Sequence, residues 1–233
     1  MRESVLLALI HIFAIISTVN PGGISSRGQK ILRSYLRRYL NRELEEEYCA
    51  LFENNLEFYS SELKTSDKDD LSDEDSLITF QITNICRQIK KGLFLEERMI
   101  VFLQLLEFTF EDGTMSEQER TILDIVARTF SISKKEYDNA FAFMISRSYD
   151  DVSPDCILII ENEDPAYWAK DTFRNYENWR HIRSRGFMGQ LFILHIESTG
   201  TLIFIYDGPL ELYFKSRDIV ACRPYLLERG VNI

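Results

Sequence analysis

The stretch FEDGTMSEQERTIL (residues 110–123) decides how the first part of the chain folds. Asp112 and Gly113 are residue types that favour a tight turn. Ser116 is a preferred N-cap, and Glu119 three residues later completes a capping box. The stretch therefore predicts a turn followed by a helix that begins directly after Ser116.

A calcium loop of the EF-hand type is the alternative for the same residues. That loop places oxygen ligands at positions 1, 3, 5 and 12 around a glycine at position 6. With Gly113 at position 6, Asp112 and Glu119 take positions 5 and 12, but positions 1 and 3 are Phe108 and Phe110. Phenylalanine supplies no side-chain oxygen, so a complete EF-hand is excluded and a structural turn is favoured over a cation site.

The turn is repeated near the N-terminus. HIFAIISTVNPGGISSRGQKIL (11–32) aligns with FLQLLEFTFEDGTMSEQERTIL (102–123), and Gly22 then matches Gly113. The repeat indicates that the apolar run at 4–19 is a core helix rather than a signal peptide. The run is also shorter than the ~20 residues that a membrane span requires.

Helical periodicity dominates the first 146 residues. The acidic segment 64–76 interrupts it, and because this segment has almost no apolar side chain to bury, we expect a mobile loop there. We predict helices close to residues 4–19, 25–40, 43–63, 76–92, 95–110, 116–130 and 133–146.

After Asp150 the apolar residues follow the period of β-strands. We therefore predict an α+β protein, with an all-helical domain of about seven helices and an internal repeat at 1–150, and a small antiparallel β-rich segment at 151–233. The predicted strands are CILIIE (156–161), QLFILHIE (190–197), TLIFIY (201–206) and LELYF (210–214), the last three forming an antiparallel meander, with 219–221 as a candidate fourth strand.

The composition limits the classes of function. The chain has 27 basic and 37 acidic residues and a formal net charge of −10, which argues against a nucleic-acid binder because such a protein needs a basic face. The four cysteines form no CxxC pair, which suits buried thiols in a reducing cytoplasm better than disulfides or a zinc site. No phosphate-binding loop, HExxH, nucleophile elbow or kinase signature occurs, so we expect no enzymatic activity.

One basic cluster stands out in the second part of the chain. RHIRSR (180–185) contributes Arg180, Arg183 and Arg185 within a segment rich in aromatic and charged residues. A phosphate or a lipid headgroup is one use for such a cluster, and a solvated loop or the start of a strand is the favoured interpretation. We keep these three arginines as candidate interaction residues.

The stretch LLEFTFEDGTMSEQERTILDIVARTFSISKKEY (105–137) resembles the TerB-like family, named from a tellurite-resistance protein. The resemblance rests on a helix, an acidic-Gly turn, a helix started by Ser and Glu, and an Ile-Ser turn into another helix, and a degenerate copy lies at 14–48. The family is all-helical with an internal repeat, and acidic residues after its turns take up divalent cations. Carried over, these are Asp112 and Glu119, with Glu117 nearby, although the first repeat has lost its acids.

The order of the whole chain, from GISS (23–26) to LELYF, is similar to the N-terminal cytosolic region of large bacterial ABC-transporter-like ATP-binding proteins. The similarity implies a non-enzymatic sensing or docking module in the cytoplasm, with protein partners or downstream domains and only indirect membrane association. We accordingly expect the chain to continue beyond Ile233. The alternative is a stand-alone stress-response protein that binds a divalent cation at the acidic turn, and no other cofactor is expected.

Overall fold

In the structure, which is a computed structural model, the chain forms two compact units, Met1–Lys134 and Lys135–Ile233. The predicted boundary lay after residue 150. The observed division comes earlier because the last helix packs within the second unit, where Asn139 Oδ1 accepts a hydrogen bond from the Ser153 amide at 3.0 Å. The structure describes residues 3–19, 26–37, 40–65, 71–110, 113–146, 149–167, 179–208, 212–214, 217–219 and 224–227.

Seven α-helices followed by short strands form the described part of the chain, which confirms the α+β class and the expected number of helices. The last helix continues as a π-helical turn over Ala142–Ser146. The helices are α1 (Glu3–Val19), α2 (Ser26–Leu36), α3 (Arg42–Thr65), α4 (Leu71–Gly92), α5 (Leu95–Thr109), α6 (Glu117–Phe130) and α7 (Lys134–Phe141).

The predicted loop at 64–76 is largely helical. Helix α3 extends to Thr65 and α4 already begins at Leu71, so the loop prediction is wrong at both ends, while residues 66–70 lie outside the described part. The acidic residues at 73–75 fall in the first turns of α4, where the helix dipole favours negative charge. Low hydrophobicity alone therefore did not indicate a loop here.

Helix α1 forms the centre of the helical unit, as predicted for the apolar run. Its residues from Leu9 to Ile16 are almost completely buried except His11, and the helix packs chiefly against α3 and α4. Phe13 meets Phe108 of α5 edge to face, with ring centroids 4.8 Å apart. A helix that is apolar all round is typical of a protein core. Among the described residues, no helix combines the length and hydropathy needed to cross a bilayer.

The described strands of the second unit form a five-stranded mixed sheet, in the order β2-β1-β3-β4-β7, and a separate two-stranded sheet of β5 and β6. All described pairs are antiparallel except β1 with β2, which run parallel. The strands are β1 (Ile157–Glu161), β2 (Arg180–Arg183), β3 (Gln190–Ile196), β4 (Thr201–Asp207), β5 (Leu212–Phe214), β6 (Arg217–Ile219) and β7 (Pro224–Leu227).

Two details of the predicted sheet are corrected. LELYF was expected beside β4, but its residues Leu212–Phe214 pair with β6, and β7 takes the place beside β4. The basic cluster supplies a strand of its own, β2, parallel to β1, so the segment is not purely antiparallel. The pairing of β4 with β7 and that of β1 with β2 both join distant segments, which the pattern of a single strand does not specify.

The five-stranded sheet is apolar on both faces. On one face Phe192 stacks on Tyr149, with ring centroids 4.4 Å apart. On the other face Leu191, Ile193, Phe204 and Tyr206 form a buried cluster, against which Leu158, Ile160, Phe187 and Leu202 pack in part. We call the first the Phe192 face and the second the Tyr206 face.

The helical unit contains one buried carboxylate between α2 and α3. The Glu45 side chain is only 4% exposed, and it accepts hydrogen bonds from Arg37 Nε at 2.7 Å and from Arg33 Nη1 at 3.3 Å. The bond from Arg37 holds the pKa of Glu45 below its usual range, against the opposing effect of burial. The ion pairs therefore link the two helices through the charged form of the acid.

We predict that Glu45→Gln destabilises the protein at neutral pH and that this difference shrinks in acid. Because the folded-state pKa of Glu45 lies below the unfolded value, its charged form adds stability above the unfolded pKa, and the contribution is lost as pH falls through the folded pKa. Urea unfolding of both proteins from neutral to acidic pH measures this. Glu46→Gln is the control, since Glu46 pairs with Arg42 on the helix surface and should matter little at any pH. A difference between wild type and Glu45→Gln that stays constant with pH would contradict the assignment.

Candidate functional site

The acidic turn carries the capping box that its sequence predicts. Ser116 is the N-cap of α6, its Oγ accepts a hydrogen bond from the Glu119 amide at 3.2 Å, and its own amide donates to Glu119 Oε2 at 2.7 Å. Gly113 has a φ of +86°, a conformation that side-chain-bearing residues avoid. The backbone conformation thus accounts for the glycine at position 113, and the capping hydrogen bonds account for Ser116 and Glu119.

The same geometry gives no support to a cation site. Glu119 is buried, and its Oε2 accepts a hydrogen bond from the Ser116 amide. Glu117 is exposed at the start of α6. Asp112, the third predicted ligand, lies outside the described residues. In the part of the chain that the structure describes, no three His, Cys, Asp or Glu side chains come together in a way that would hold a metal ion.

The basic cluster is placed on and after the edge strand β2. Arg180 and Arg183 belong to the strand and Arg185 follows it, and all three are exposed. Arg183 Nε lies 3.3 Å from Glu161 Oε1, and Arg185 Nε lies 2.7 Å from Glu163 Oε2. Two of the three predicted interaction residues thus already contact acidic side chains from the end of β1.

Glu161 is the residue that sequence reasoning missed. It is 1% exposed, and its Oε1 lies 3.0 Å from His181 Nδ1, while its Oε2 accepts a hydrogen bond from Gln190 Nε2 at 2.9 Å. The register explains the convergence, because Glu161 is directly opposite Arg183 on one neighbouring strand and Gln190 on the other. We call Glu161, His181, Arg183 and Gln190 the Glu161 cluster.

The Glu161 cluster fastens β2 to the rest of the sheet. A carboxylate removed from water is costly unless charged or polar donors surround it. Here the donors come from both neighbours of β1, so the burial of Glu161 depends on β2 staying in register. The only sequence signal for this was the acid that ends the apolar run CILIIE, followed later by a basic segment with strand-like alternation.

Hydrogen bonds also fix the connection from β2 to β3. Asn162 Nδ2 donates to the carbonyl oxygens of Arg185 and Phe187, and Tyr206 Oη donates to that of Met188 at 2.7 Å. Gly189 has a φ of +91°, and a Cβ there would lie 2.5 Å from the Asp207 carbonyl oxygen. The turn after β2 therefore has one defined conformation.

Strand β2 has one paired edge and one edge without a described partner strand. The amide of Ser184 donates to the Glu161 carbonyl at 2.9 Å, so its main chain faces β1. Because main-chain groups alternate in direction along a strand, those of His181 and Arg183 point away from β1. Between them Ile182 is 50% exposed. The edge thus presents the outward-facing backbone groups of Arg183, exposed arginines and an exposed isoleucine together.

Comparisons with known proteins give no information on function, so a functional proposal has to be based on the geometry of the Glu161 cluster and of β2. No family model, no curated protein and no solved structure matches the chain. The resemblance to the TerB-like family and to the ABC-transporter-like proteins therefore remains a prediction from sequence.

We predict that Ser116→Ala lowers the free energy of unfolding by about 0.5–2 kcal/mol, because it removes the hydrogen-bond acceptor of the α6 N-cap. Chemical denaturation measures the change. Gln118→Ala, an exposed substitution in the same helical turn, is the matched control and should have a small effect. A calcium-dependent rise in melting temperature that Asp112→Asn abolishes would contradict a purely structural role for the turn.

Proposed function

We propose that this chain is a non-enzymatic docking module that binds a protein partner through the edge of β2. The observation that carries the proposal is the exposed side of β2, where Ile182 is 50% exposed and the main-chain groups of Arg183 are directed away from β1. An exposed strand edge is a template for pairing with another chain. Many peptide-binding domains use such an edge to add a strand from their partner.

The rigidity of β2 supports the same function. The Glu161 cluster holds one side of the strand, and Asn162 holds the turn that follows it. A binding strand that is already ordered loses less conformational entropy when its partner arrives. Strand β2 therefore has exposed side chains and a fixed position, and both properties favour the binding of a partner.

The second part of the proposal concerns the protein system in which the module acts. We infer a cytoplasmic sensing or docking role at the N-terminal side of an ABC-transporter-like ATPase system, supported by the similarity in the order of sequence features. The partner would then be another protein of that system or a downstream domain. A stand-alone cation-binding stress protein is not favoured by any described contact.

We predict that a photo-reactive p-benzoylphenylalanine in place of Ile182 forms discrete cross-links to protein in cells that naturally make this chain. Ile182 is half exposed and lies between the outward-facing backbone groups, so a docked partner would contact it. The same substitution at Phe94, which is 82% exposed at the start of α5, is the control and should give no discrete product. Absence of cross-links at position 182 and also at position 180 would refute docking at β2.

A further inference from the structure

We propose that the corner between α4 and α5 binds the surface of an anionic phospholipid bilayer, with Phe94 inserted among the headgroups. The inference concerns the helical unit and does not depend on the docking proposed for β2. It also differs from the indirect membrane association that the sequence similarity implied, because it places a direct, peripheral contact on this chain. We call Phe94 and the basic residues near it the Phe94 corner, and these are Arg87, Lys90, Lys91, Arg98 and Arg128.

Phe94 is exposed at a position where folding favours other residue types. Its side chain is 82% exposed, more than any other large hydrophobic residue in the described part of the chain. Phe94 is the N-cap of α5, and its side chain makes no capping hydrogen bond. Serine, threonine, asparagine and aspartate are preferred there because their oxygens accept a bond from the helix. Stability therefore does not account for this residue, and positions that break a local rule in this way are where function is expected.

The main-chain polar groups of Phe94 already have partners within the protein. Its amide donates a hydrogen bond to Glu97 Oε2 at 2.9 Å, and its carbonyl oxygen accepts one from the Arg98 amide at 3.0 Å. An unpaired backbone group is costly in a bilayer because no water replaces the lost hydrogen bond. The backbone at Phe94 can therefore enter the headgroup region without that cost.

Basic side chains connect the three helix ends at this corner. Arg98 joins α5 to the end of α6, because its Nη1 donates to the Phe130 carbonyl oxygen while its Nε lies 3.4 Å from that of Phe94. Lys90 of α4 reaches the same end of α6, where its Nζ donates to Ser131 Oγ at 2.7 Å. The C-terminal ends of α4 and α6 and the start of α5 therefore lie side by side.

More basic side chains lie on the last turns of α4 and α6. Arg87 and Lys91 belong to α4 and Arg128 to α6, and all three are exposed. Cations at helix C-termini also interact favourably with the helix dipole, which accounts for their charge but not for the exposed phenyl ring beside them. Three acidic residues close to them in sequence are only half-buried or less exposed than the cations, namely Glu96, Glu97 and Asp124.

A bilayer fits the Phe94 corner better than a protein does. The chain has a net charge of −10, so an anionic surface is repelled by most of the molecule and attracted at this corner. Interfacial membrane contacts combine apolar burial with attraction to anionic lipids. A protein interface needs a packed apolar centre, but the other exposed phenylalanine in the described parts of α4, α5 and α6 is Phe80. Phe80 lies ~18 Å before the end of α4 along the helix axis.

Flotation of the complete chain with lipid vesicles tests the proposal. Vesicles of phosphatidylcholine and phosphatidylglycerol carry negative charge, and vesicles of phosphatidylcholine alone have no net charge. We expect binding to the anionic vesicles that weakens as the salt concentration rises, and little binding to the neutral vesicles. No binding to the anionic vesicles, or equal binding to both kinds, overturns the inference.

Phe94→Ser separates membrane contact from folding. Serine is a better N-cap than phenylalanine, so we expect this variant to be at least as stable as wild type. Its binding to anionic vesicles should weaken by about five- to tenfold, because the apolar ring is lost. Phe58→Ser removes a 54% exposed phenylalanine from α3, and as the matched control it should leave vesicle binding unchanged. Equal weakening by both substitutions, or by neither, overturns the insertion of Phe94.

Charge variants test the basic part of the Phe94 corner. Lys91→Gln and Arg128→Gln should each weaken binding to anionic vesicles by about three- to fivefold, because each cation near a charged bilayer adds to the attraction. Arg42→Gln in α3 makes the same change of charge at a 90% exposed side chain and should have little effect. An equal loss in Arg42→Gln would show that the cations of the corner have no special role and would overturn the inference.

Photo-cross-linking distinguishes a bilayer from a protein at this corner. A p-benzoylphenylalanine at position 94 that lies among lipids forms no discrete protein product, which agrees with the result expected for the Phe94 control of the β2 experiment. A discrete cross-link from position 94 to a protein would assign the Phe94 corner to a protein partner and overturn the inference.

Discussion

The buried carboxylate of Glu161 is the constraint on which the sheet unit depends. Its charge is compensated only if His181 and Arg183 of β2 and Gln190 of β3 stay beside it. Three of the four residues of β2 are exposed, so apolar burial does little to hold this strand. Its position is set by the ladder to β1 and by polar contacts. Such contacts add little net stability, but the loss of one partner leaves a buried charge uncompensated, which disfavours other registers.

The helices were predictable because their signals are local. An apolar period of 3.6 residues, a capping box at Ser116 and Glu119, and a uniformly apolar α1 each act within a few turns of chain. The structure confirms all three. The start of α4 at Leu71 was missed because its acidic first turns resemble a disordered segment in composition, while position in the helix decides their effect. Composition and position gave opposite indications there.

The candidate site was predictable only in part, for the opposite reason. The arginines of RHIRSR were found, but Glu161, the partner of Arg183, lies about twenty positions earlier, and only the parallel pairing of β1 with β2 brings the two together. Strand register over such a distance is set by tertiary packing, which no single segment encodes. The acidic turn shows the converse, since in sequence Glu119 was open to two roles, a cation ligand and a member of a capping box, and the capping box was the favoured one. Only the bond from the Ser116 amide distinguishes the two roles.

An exposed strand edge poses a physical problem whose solution also shapes recognition. Basic side chains on an edge prevent a strand from pairing with copies of itself, because like charges would face each other. The same side chains lower the free energy of pairing with an acidic strand. Specificity is a difference between two such free energies, so one set of arginines supplies both the repulsion and the attraction. In β2 the Glu161 cluster positions Arg183, because Arg183 Nε contacts Glu161 while 57% of the arginine side chain remains exposed. Under the docking function proposed above, protection against self-association and selection of a partner are two consequences of one charge pattern.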